Sequence, residues 1–185
     1  MRIRIAAVLV TSASITALSL AAGAPALAAD PPVVVAGPVS SNGGISRATC
    51  PAGTTLVGGG YDARHDINGV NNVIDGLDLF APDWQNANSW VAAMHTGQVR
   101  AVAMCAKGSG PAPRVVVGPA VKADYSKATC PAGTQLLAGG YTSTPATNGL
   151  GQYVDDVDTN SPNTDNSWLA KMAIGTAQAL ALCGS

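Results

Sequence analysis

The sequence predicts an all-β protein that contains two homologous modules, each pinned by one disulfide bond. All 11 acidic residues are Asp, which favours turns and caps, and the chain has no Glu, which favours helix interiors. The 21 Gly and 12 Pro residues are typical of a chain with many turns. The seven residues ATCPAGT occur twice, beginning at Ala48 and at Ala128. We expect the modules to be sandwich-like or prism-like, and a pseudo-two-fold interface is one arrangement that would fuse them.

The first 28 residues have the pattern of a secretory signal peptide. Arg2 and Arg4 form a basic start, an apolar run follows, and residues 26–28 fit an A-x-A cleavage site. A membrane anchor is the alternative, but Ser, Thr, Gly and Pro interrupt the run, which leaves it short for a span of about 20 apolar residues. We therefore expect residues 1–28 to be removed and the mature protein to be secreted, with no membrane-spanning segment.

The charge of the mature chain argues against two classes of partner. Without Arg2 and Arg4, eight Lys and Arg residues stand against 11 Asp residues, which gives a net charge of −3. Binding to nucleic acid or to an anionic membrane would call for a basic patch, so we expect neither partner.

The repeat covers nearly the whole predicted mature chain. Residues 48–61 match residues 128–141 at 11 of 14 positions, and the motif NSW recurs further on, at Asn88 and at Asn166. These matches define module 1 as residues 35–107 and module 2 as residues 114–185. The Gly, Ser and Pro residues of 108–113 indicate a linker between the modules.

Four cysteines in an exported chain predict a disulfide framework. Each module has one Cys in its CPAGT segment and one near its end, so we pair Cys50 with Cys105. The same reasoning pairs Cys130 with Cys183. The alternative is the swapped pattern, in which Cys50 pairs with Cys183 and the other two cysteines pair with each other. Closing a loop of roughly 55 residues should stabilise each module by about 4 kcal/mol.

The CPAGT segment predicts a turn followed by a strand. Pro in the second position and Gly in the fourth fit a type I β-turn that begins at Cys50. The paired glycines that follow, at 59–60 and again at 139–140, indicate a bulge or a close backbone approach. We therefore expect the motif to be structural, placing a cysteine that ties this strand to the last strand of its module.

The closing strands show a period of two, typical of β-structure. One set of alternating residues is retained in both modules and should form the core, while the other set admits Lys171 and should face water. Both faces of the last strand are apolar, so we expect it to be central or to lie at a contact between modules. The expected core set is Trp90, Ala92 and Met94 with Trp168, Ala170 and Met172, and the expected wet set is Val91, Ala93 and His95.

The combination of CPAGT, GGGY, NSW and a terminal AxAxC resembles small exported actinobacterial repeat proteins. The resemblance extends over nearly the whole mature chain. The shared motifs are structural in character, and the resemblance implies no activity.

Catalysis has little support in the sequence. There is no G-x-S-x-G elbow, and a Ser–His–Asp site would need one of the only two histidines, His65 and His95. We expect His95 on an exposed strand face with no acid beside it, and His65 in a charged surface loop. The sequence therefore favours a non-catalytic protein, and a hydrolase that uses His65 is the remaining enzyme hypothesis.

Two Asp-x-x-Asp spacings, Asp75 with Asp78 and Asp155 with Asp158, are weak candidates for calcium binding. Residues three apart on a regular strand point to opposite faces, so these carboxylates converge only in a loop or a bulge. Turn caps and solvated edges are the preferred alternative. The cysteines are too far apart for a C-x-x-C zinc site, and no cofactor is expected.

The function that the sequence favours is a secreted, non-catalytic binding module for an extracellular polymer, either a glycan or a surface protein. Trp84 lies in a polar loop and does not recur in module 2, which is typical of a sugar platform or an interface anchor, with a hydrophobic loop plug as the alternative. A structural or coat protein of the cell exterior and a secreted protease inhibitor are the alternative functions. The predicted binding residues are Trp84, Asp75, Asp78 and Asp83 in module 1 and Asp155, Asp158 and Asp165 in module 2.

Overall fold

The all-β prediction is confirmed by the computed structural model, which describes residues 30–70, 73–108 and 111–185 and contains no helix among them. The predicted signal peptide and residues 109–110 of the predicted linker lie outside the described residues. The strands of the first half are β1 (Val33–Ala36), β2 (Ser40–Ser41), β3 (Ile45–Thr49), β4 (Thr54–Arg64), β5 (Leu77–Pro82), β6 (Ser89–Met94) and β7 (Gln98–Lys107). Those of the second half are β8 (Arg114–Lys122), β9 (Ser126–Thr129), β10 (Gln135–Thr144), β11 (Val157–Asn163), β12 (Ser167–Met172) and β13 (Thr176–Gly184).

Each half contains two small sheets that pack face to face. In the first half, β7 lies between β4 and the pair β1 and β2, while β6 lies between β3 and β5. In the second half, β13 lies between β10 and β8, while β12 lies between β11 and β9. The same strand order therefore occurs twice. The expectation that each half's last strand is central is confirmed, because β7 and β13 each pair on both sides.

The two halves share a sheet. Strand β5 of the first half pairs with β10 of the second, with Phe80 opposite Tyr141 and Leu79 opposite Thr142. The resulting six-stranded sheet has the order β3-β6-β5-β10-β13-β8. The connection between the halves is therefore made by strand pairing as well as by the covalent chain.

Both predicted disulfide bonds are confirmed. Cys50 bonds to Cys105 and Cys130 bonds to Cys183, with the Cα atoms 5.6 Å apart in each pair. Cys50 follows β3 and Cys105 lies in β7, so the bond joins the two facing sheets of the first half. The second bond does the same in the other half, and all four cysteines are buried in the main core.

The predicted turn in CPAGT is shifted by one residue. The hydrogen bond that closes it runs from Thr54 N to Pro51 O, at 3.1 Å, so Pro51 and not Cys50 is the first residue of the turn. Gly53 then occupies the third position with a φ of 80°, which a type II turn requires and which glycine adopts without strain. The turn at Pro131 repeats this geometry.

The first glycine of each pair serves a close approach, as the sequence predicts. A Cβ on Gly59 would overlap the Trp90 ring, and a Cβ on Gly139 would overlap the Trp168 ring. The bulge is a separate feature, since the pairing register of β4 with β7 shifts between Leu56 and Gly58. These glycines therefore let a large indole lie directly against the facing strand.

The prediction that one face of β6 is exposed to solvent is wrong for two of its residues. Val91 and Ala93 are buried, and with Leu79, Ala81 and Leu180 they form a second apolar cluster. The alternation within one module does not reveal this cluster, because the shared sheet brings Leu180 of β13 against the far face of β5 and β6. The expected core set is buried except for Trp168, which is half-buried.

Candidate functional site

Asp75 and Asp155 hold equivalent hairpins in the two halves. The carboxylate of Asp75 accepts hydrogen bonds from Thr96 N at 3.1 Å and Gly97 N at 2.7 Å, in the turn between β6 and β7. The carboxylate of Asp155 accepts a hydrogen bond from Gly175 N at 2.5 Å, in the turn between β12 and β13. Each carboxylate therefore serves as the hydrogen-bond acceptor for turn amides that have no backbone acceptor.

Asp78 and Asp158 lie at equivalent bulges, where the pairing registers of β5 with β6 and of β11 with β12 shift. A bulge is one of the two settings in which the Asp-x-x-Asp carboxylates could converge. The structure uses the bulges differently in the two halves, because Asp78 is half-buried and Asp158 is exposed.

Asp78 belongs to a cluster that crosses between the halves. The hydroxyl of Tyr153, in the loop before β11, donates a hydrogen bond to Asp78 Oδ1. Nδ1 of His95 lies 3.8 Å from Asp78 Oδ2, and the His95 and Tyr153 ring centroids are 4.6 Å apart. His95 therefore has an acid beside it, contrary to the expectation from sequence, because the bulge turns Asp78 towards the end of β6.

Burial governs the acid–base properties of this cluster. Loss of solvent raises the pKa of Asp78 above its usual 3.8, and the hydrogen bond from Tyr153 and the charge of His95 only partly oppose this shift. Burial and the hydrogen bond to Asp78 both raise the pKa of Tyr153. The tyrosine hydroxyl is therefore a stable proton donor to Asp78, which suits a contact that holds the halves together.

His65 contacts the backbone of Asp75. His65 is exposed, with Nδ1 3.4 Å from the Asp75 carbonyl oxygen, and it contributes to a surface recess of about 320 Å³. Across the described ranges, no three His, Cys, Asp or Glu side chains are grouped so that they could hold a metal ion.

Asp83 pairs with a cation of β3, and Asp165 pairs with the cation at the equivalent position of β9. Asp83 is buried and accepts a hydrogen bond from Arg47 Nε at 2.6 Å and another from Gln85 N at 2.9 Å. Asp165 is paired with Lys127, and the hydrogen bond from that lysine lowers the pKa of the carboxyl. Both carboxylates tie a loop to a neighbouring strand. Among the predicted binding residues of the first half, Trp84 is the most exposed.

Trp84 forms one wall of a groove that the sequence does not reveal. The indole is 47% exposed, although its neighbour Asp83 is buried. The groove has a volume of about 290 Å³, and its other residues all come from the second half. They are Val117, Thr142, Gln178 and Leu180. The sequence indicates Trp84 but not these partners, because the pairing of β5 with β10 brings them to the loop.

A second groove also lies between the halves and was missed. It has a volume of about 290 Å³ and includes Tyr61, Tyr141, Val157 and Asn160. The only sequence signal for it is the tyrosine that ends both GGY segments.

An adjoining recess of about 330 Å³ follows the repeat symmetry. It is lined by residues 73–76 and by residues 153–156, which are equivalent in the two modules. Equivalent segments of the two halves therefore meet at this recess.

No helix in the described parts of the chain is long and apolar enough to cross a membrane. Comparisons with models of protein families, with curated proteins and with solved structures find no match to this chain.

Proposed function

We propose that this protein is a secreted, non-catalytic binding protein and that its ligand is an extracellular glycan polymer held in the Trp84 groove. The observation that carries the proposal is the half-exposed indole of Trp84 at the wall of a groove whose remaining residues come from the other half. The signal-peptide pattern and the two disulfide bonds support an extracellular setting, where disulfides persist.

The groove has the mixed chemistry that a sugar requires. One face of a pyranose ring is apolar and stacks on an indole, while its hydroxyl groups need hydrogen-bonding partners. Val117 and Leu180 supply further apolar surface beside Trp84, and Thr142 and Gln178 supply a hydroxyl and an amide. The Gln178 Nε2 donates to Gly118 O at 2.9 Å, which fixes the orientation of that amide.

The loop that presents Trp84 is held on both sides of the indole. Asp83 accepts hydrogen bonds from Arg47 in β3 and from the backbone of Gln85, the residue after Trp84. Because the loop is ordered before the ligand arrives, binding costs less conformational entropy. Asp83 thus has a positioning role in this proposal, and direct ligand contact is assigned to Trp84.

The experiment is retention of the oxidised mature protein on insoluble peptidoglycan, chitin and cellulose, each with calcium and with a chelator. We expect selective retention on one polymer and an apparent Kd about tenfold higher for Trp84→Ala, as for loss of a central aromatic contact. We expect the chelator to have no effect, because Asp75, Asp83 and Asp155 are engaged in hydrogen bonds within the protein.

Tyr125→Ala is the matched control, because Tyr125 is also a half-exposed aromatic residue but contacts Lys171 instead of the groove. The fraction of Tyr125→Ala retained on the polymer should equal that of the wild type. Equal retention of Trp84→Ala and wild type would contradict the proposed site. Absence of wild-type retention on all three polymers would contradict glycan binding itself.

A further inference from the structure

The repeat makes two seams between the halves equivalent, but only one of them is closed. In the closed seam, Phe80 of β5 pairs with Tyr141 of β10. The repeat offset of 80 residues maps these positions onto Asn160 of β11 and Tyr61 of β4. Within the described residues, β4 pairs only with β7 and β11 pairs only with β12. We call the gap between β4 and β11 the open seam.

The replacement of Phe80 by Asn160 is one of the differences between the two strands that face the seams. Phe80 packs against three aromatic rings, with centroid distances of 5.3 Å to Tyr61, 5.1 Å to Trp90 and 6.4 Å to Tyr141. Its counterpart Asn160 instead accepts a hydrogen bond from Trp168 Nε1 at 2.7 Å. An apolar anchor therefore holds β5 on β10, and β11 has no such anchor to hold it on β4.

The glycines of the two seams show what the open seam lacks. A Cβ on Gly140 would overlap the carbonyl oxygen of Phe80, so this position requires glycine because the β5 backbone lies against it. A Cβ on the equivalent Gly60 would meet nothing within 4 Å. Gly60 has no positive φ either, so nothing among the described residues requires glycine there. The space that β5 fills over Gly140 is open over Gly60.

The charge beside the open seam is mainly negative. Asp156 lines the groove between β4 and β11, and Asp158 is exposed on β11, whereas Asp62 and Arg64 of β4 line a separate recess with Arg100 of β7. After burial itself, the charge of Asp156 is the largest cause that raises the pKa of Tyr141, which places this carboxylate at the groove. An occupant with a lysine or arginine side chain would therefore be complementary, whereas a second copy of this net-negative chain would not.

We propose that the open seam binds an extended, basic peptide segment of another extracellular protein by β-strand addition. The free edges of β4 and β11 supply main-chain hydrogen bonds, which are the source of affinity in this binding mode. A large apolar side chain of the peptide takes the role that Phe80 has in the closed seam, contacting Tyr61 and Tyr141. A lysine or arginine of the peptide faces Asp156 and Asp158. This surface is separate from the Trp84 groove and does not depend on it.

The probe follows from the strand that fills the closed seam. The sequence of β5 is LDLFAP, and the probe is the fluorescently labelled peptide LKLFAP, in which lysine replaces the aspartate. Binding to the oxidised mature protein is measured by fluorescence anisotropy. We expect LKLFAP to bind and LDLFAP, LKLNAP and a backbone N-methylated LKLFAP each to bind about tenfold more weakly or worse, because they lack the charge, the anchor or the main-chain donors.

Gly60→Ala tests the site without disturbing the free protein, since its Cβ meets nothing. We expect an unchanged melting temperature and an affinity for LKLFAP about tenfold lower, because the methyl group occupies the space of the incoming backbone. Gly69→Ala is the matched control, since a Cβ there also meets nothing within 4 Å and the residue is not part of the groove. It should bind LKLFAP as the wild type does.

Any one of the following outcomes would overturn this proposal. The first is equal binding of LKLFAP and its control peptides to the wild type, or no binding at all. The second is wild-type affinity in Gly60→Ala. The third is concentration-dependent dimerisation of the wild type that Gly60→Ala abolishes, which would assign the seam to a second copy. Glycan retention by Gly60→Ala should equal that of the wild type, so failure of this proposal is distinguishable from failure of the Trp84 site.

Discussion

Single carboxylates in this protein stabilise turns that lie far from them in the sequence. Asp75 is buried and accepts hydrogen bonds from two backbone amides of the β6–β7 turn. Asp75→Ala leaves both amides without their acceptor, so we expect the free energy of unfolding to fall by about 2 kcal/mol. Urea unfolding of the oxidised protein measures this change. The control is Asp158→Ala, at an exposed position, where the change should stay within about 0.5 kcal/mol.

Calcium binding is the alternative role for the Asp75 carboxylate, and the melting temperature with and without calcium tests it. If its carboxylate served a metal ion, calcium would raise the wild-type melting temperature, and Asp75→Ala would abolish that increase. Because the carboxylate is already engaged by the turn, we expect no increase. A variant as stable as the wild type in urea, together with a calcium-dependent melting temperature, would contradict the structural role.

Asp78 makes stability depend on pH in a direction unusual for a carboxylate. Its pKa in the folded protein is raised above 3.8, mainly by burial, with Tyr153, His95 and Asp75 around it. The unfolded state therefore loses its proton first as pH rises. The contribution of Asp78 is fully present below pH 3.8 and is lost as pH rises through the raised folded-state pKa.

Asp78→Asn removes this pH dependence but keeps an acceptor for the Tyr153 hydroxyl. We therefore expect the variant to gain stability relative to the wild type as pH rises through that window, measured by urea unfolding at a series of pH values. Asp158→Asn, at the equivalent exposed bulge, should differ from the wild type by no more than about 0.5 kcal/mol at each pH. A constant difference between Asp78→Asn and wild type would contradict the raised pKa.

Strands and turns differ in how far local sequence determines them. The disulfide pairs and the central position of β7 and β13 could be predicted, because they depend on the repeat and on apolar alternation within one module. The start of the turn at Pro51 could not, since type I and type II turns both accept this Pro and Gly pattern and a single hydrogen bond decides the register. The pairing of β5 with β10 also escaped prediction, because it depends on a long-range contact of Phe80.

The candidate site shows the same division. Residue type and loop position predict Trp84 and the six Asp residues as candidates, but their partners lie in other elements. Asp83 meets Arg47 across 36 residues of sequence, and the groove beside Trp84 is completed by β8, β10 and β13. Local sequence can indicate a polar loop with an exposed indole. Only the strand pairing between halves determines which surface that indole faces.

The molecule as a whole is more integrated than two tethered modules would be. Strand β5 extends the sheet of the second half, and the Asp78, Tyr153 and His95 cluster adds a polar contact between the halves. The second apolar cluster joins Leu79 and Val91 of the first half to Leu180 of the second. Separation of the halves would expose this cluster and leave the inner edges of β5 and β10 unpaired.

The energetic consequence is that neither half should be stable alone. Exposure of Leu79 and Val91 costs about 1.5–3 kcal/mol for each side chain, against a total stability of about 5 kcal/mol for a small domain. We expect the full oxidised chain to unfold in one cooperative urea transition, seen alike by tryptophan fluorescence and far-UV circular dichroism. Residues 30–108 and 111–185, produced separately with their disulfides intact, should lack the near-UV signal of fixed aromatic side chains. Mixing the two halves should restore part of that signal, because β5 and β10 can pair again. Two resolved transitions in the full chain, together with native near-UV spectra for both separate halves, would contradict this integration and show that the β5–β10 pairing contributes little to stability.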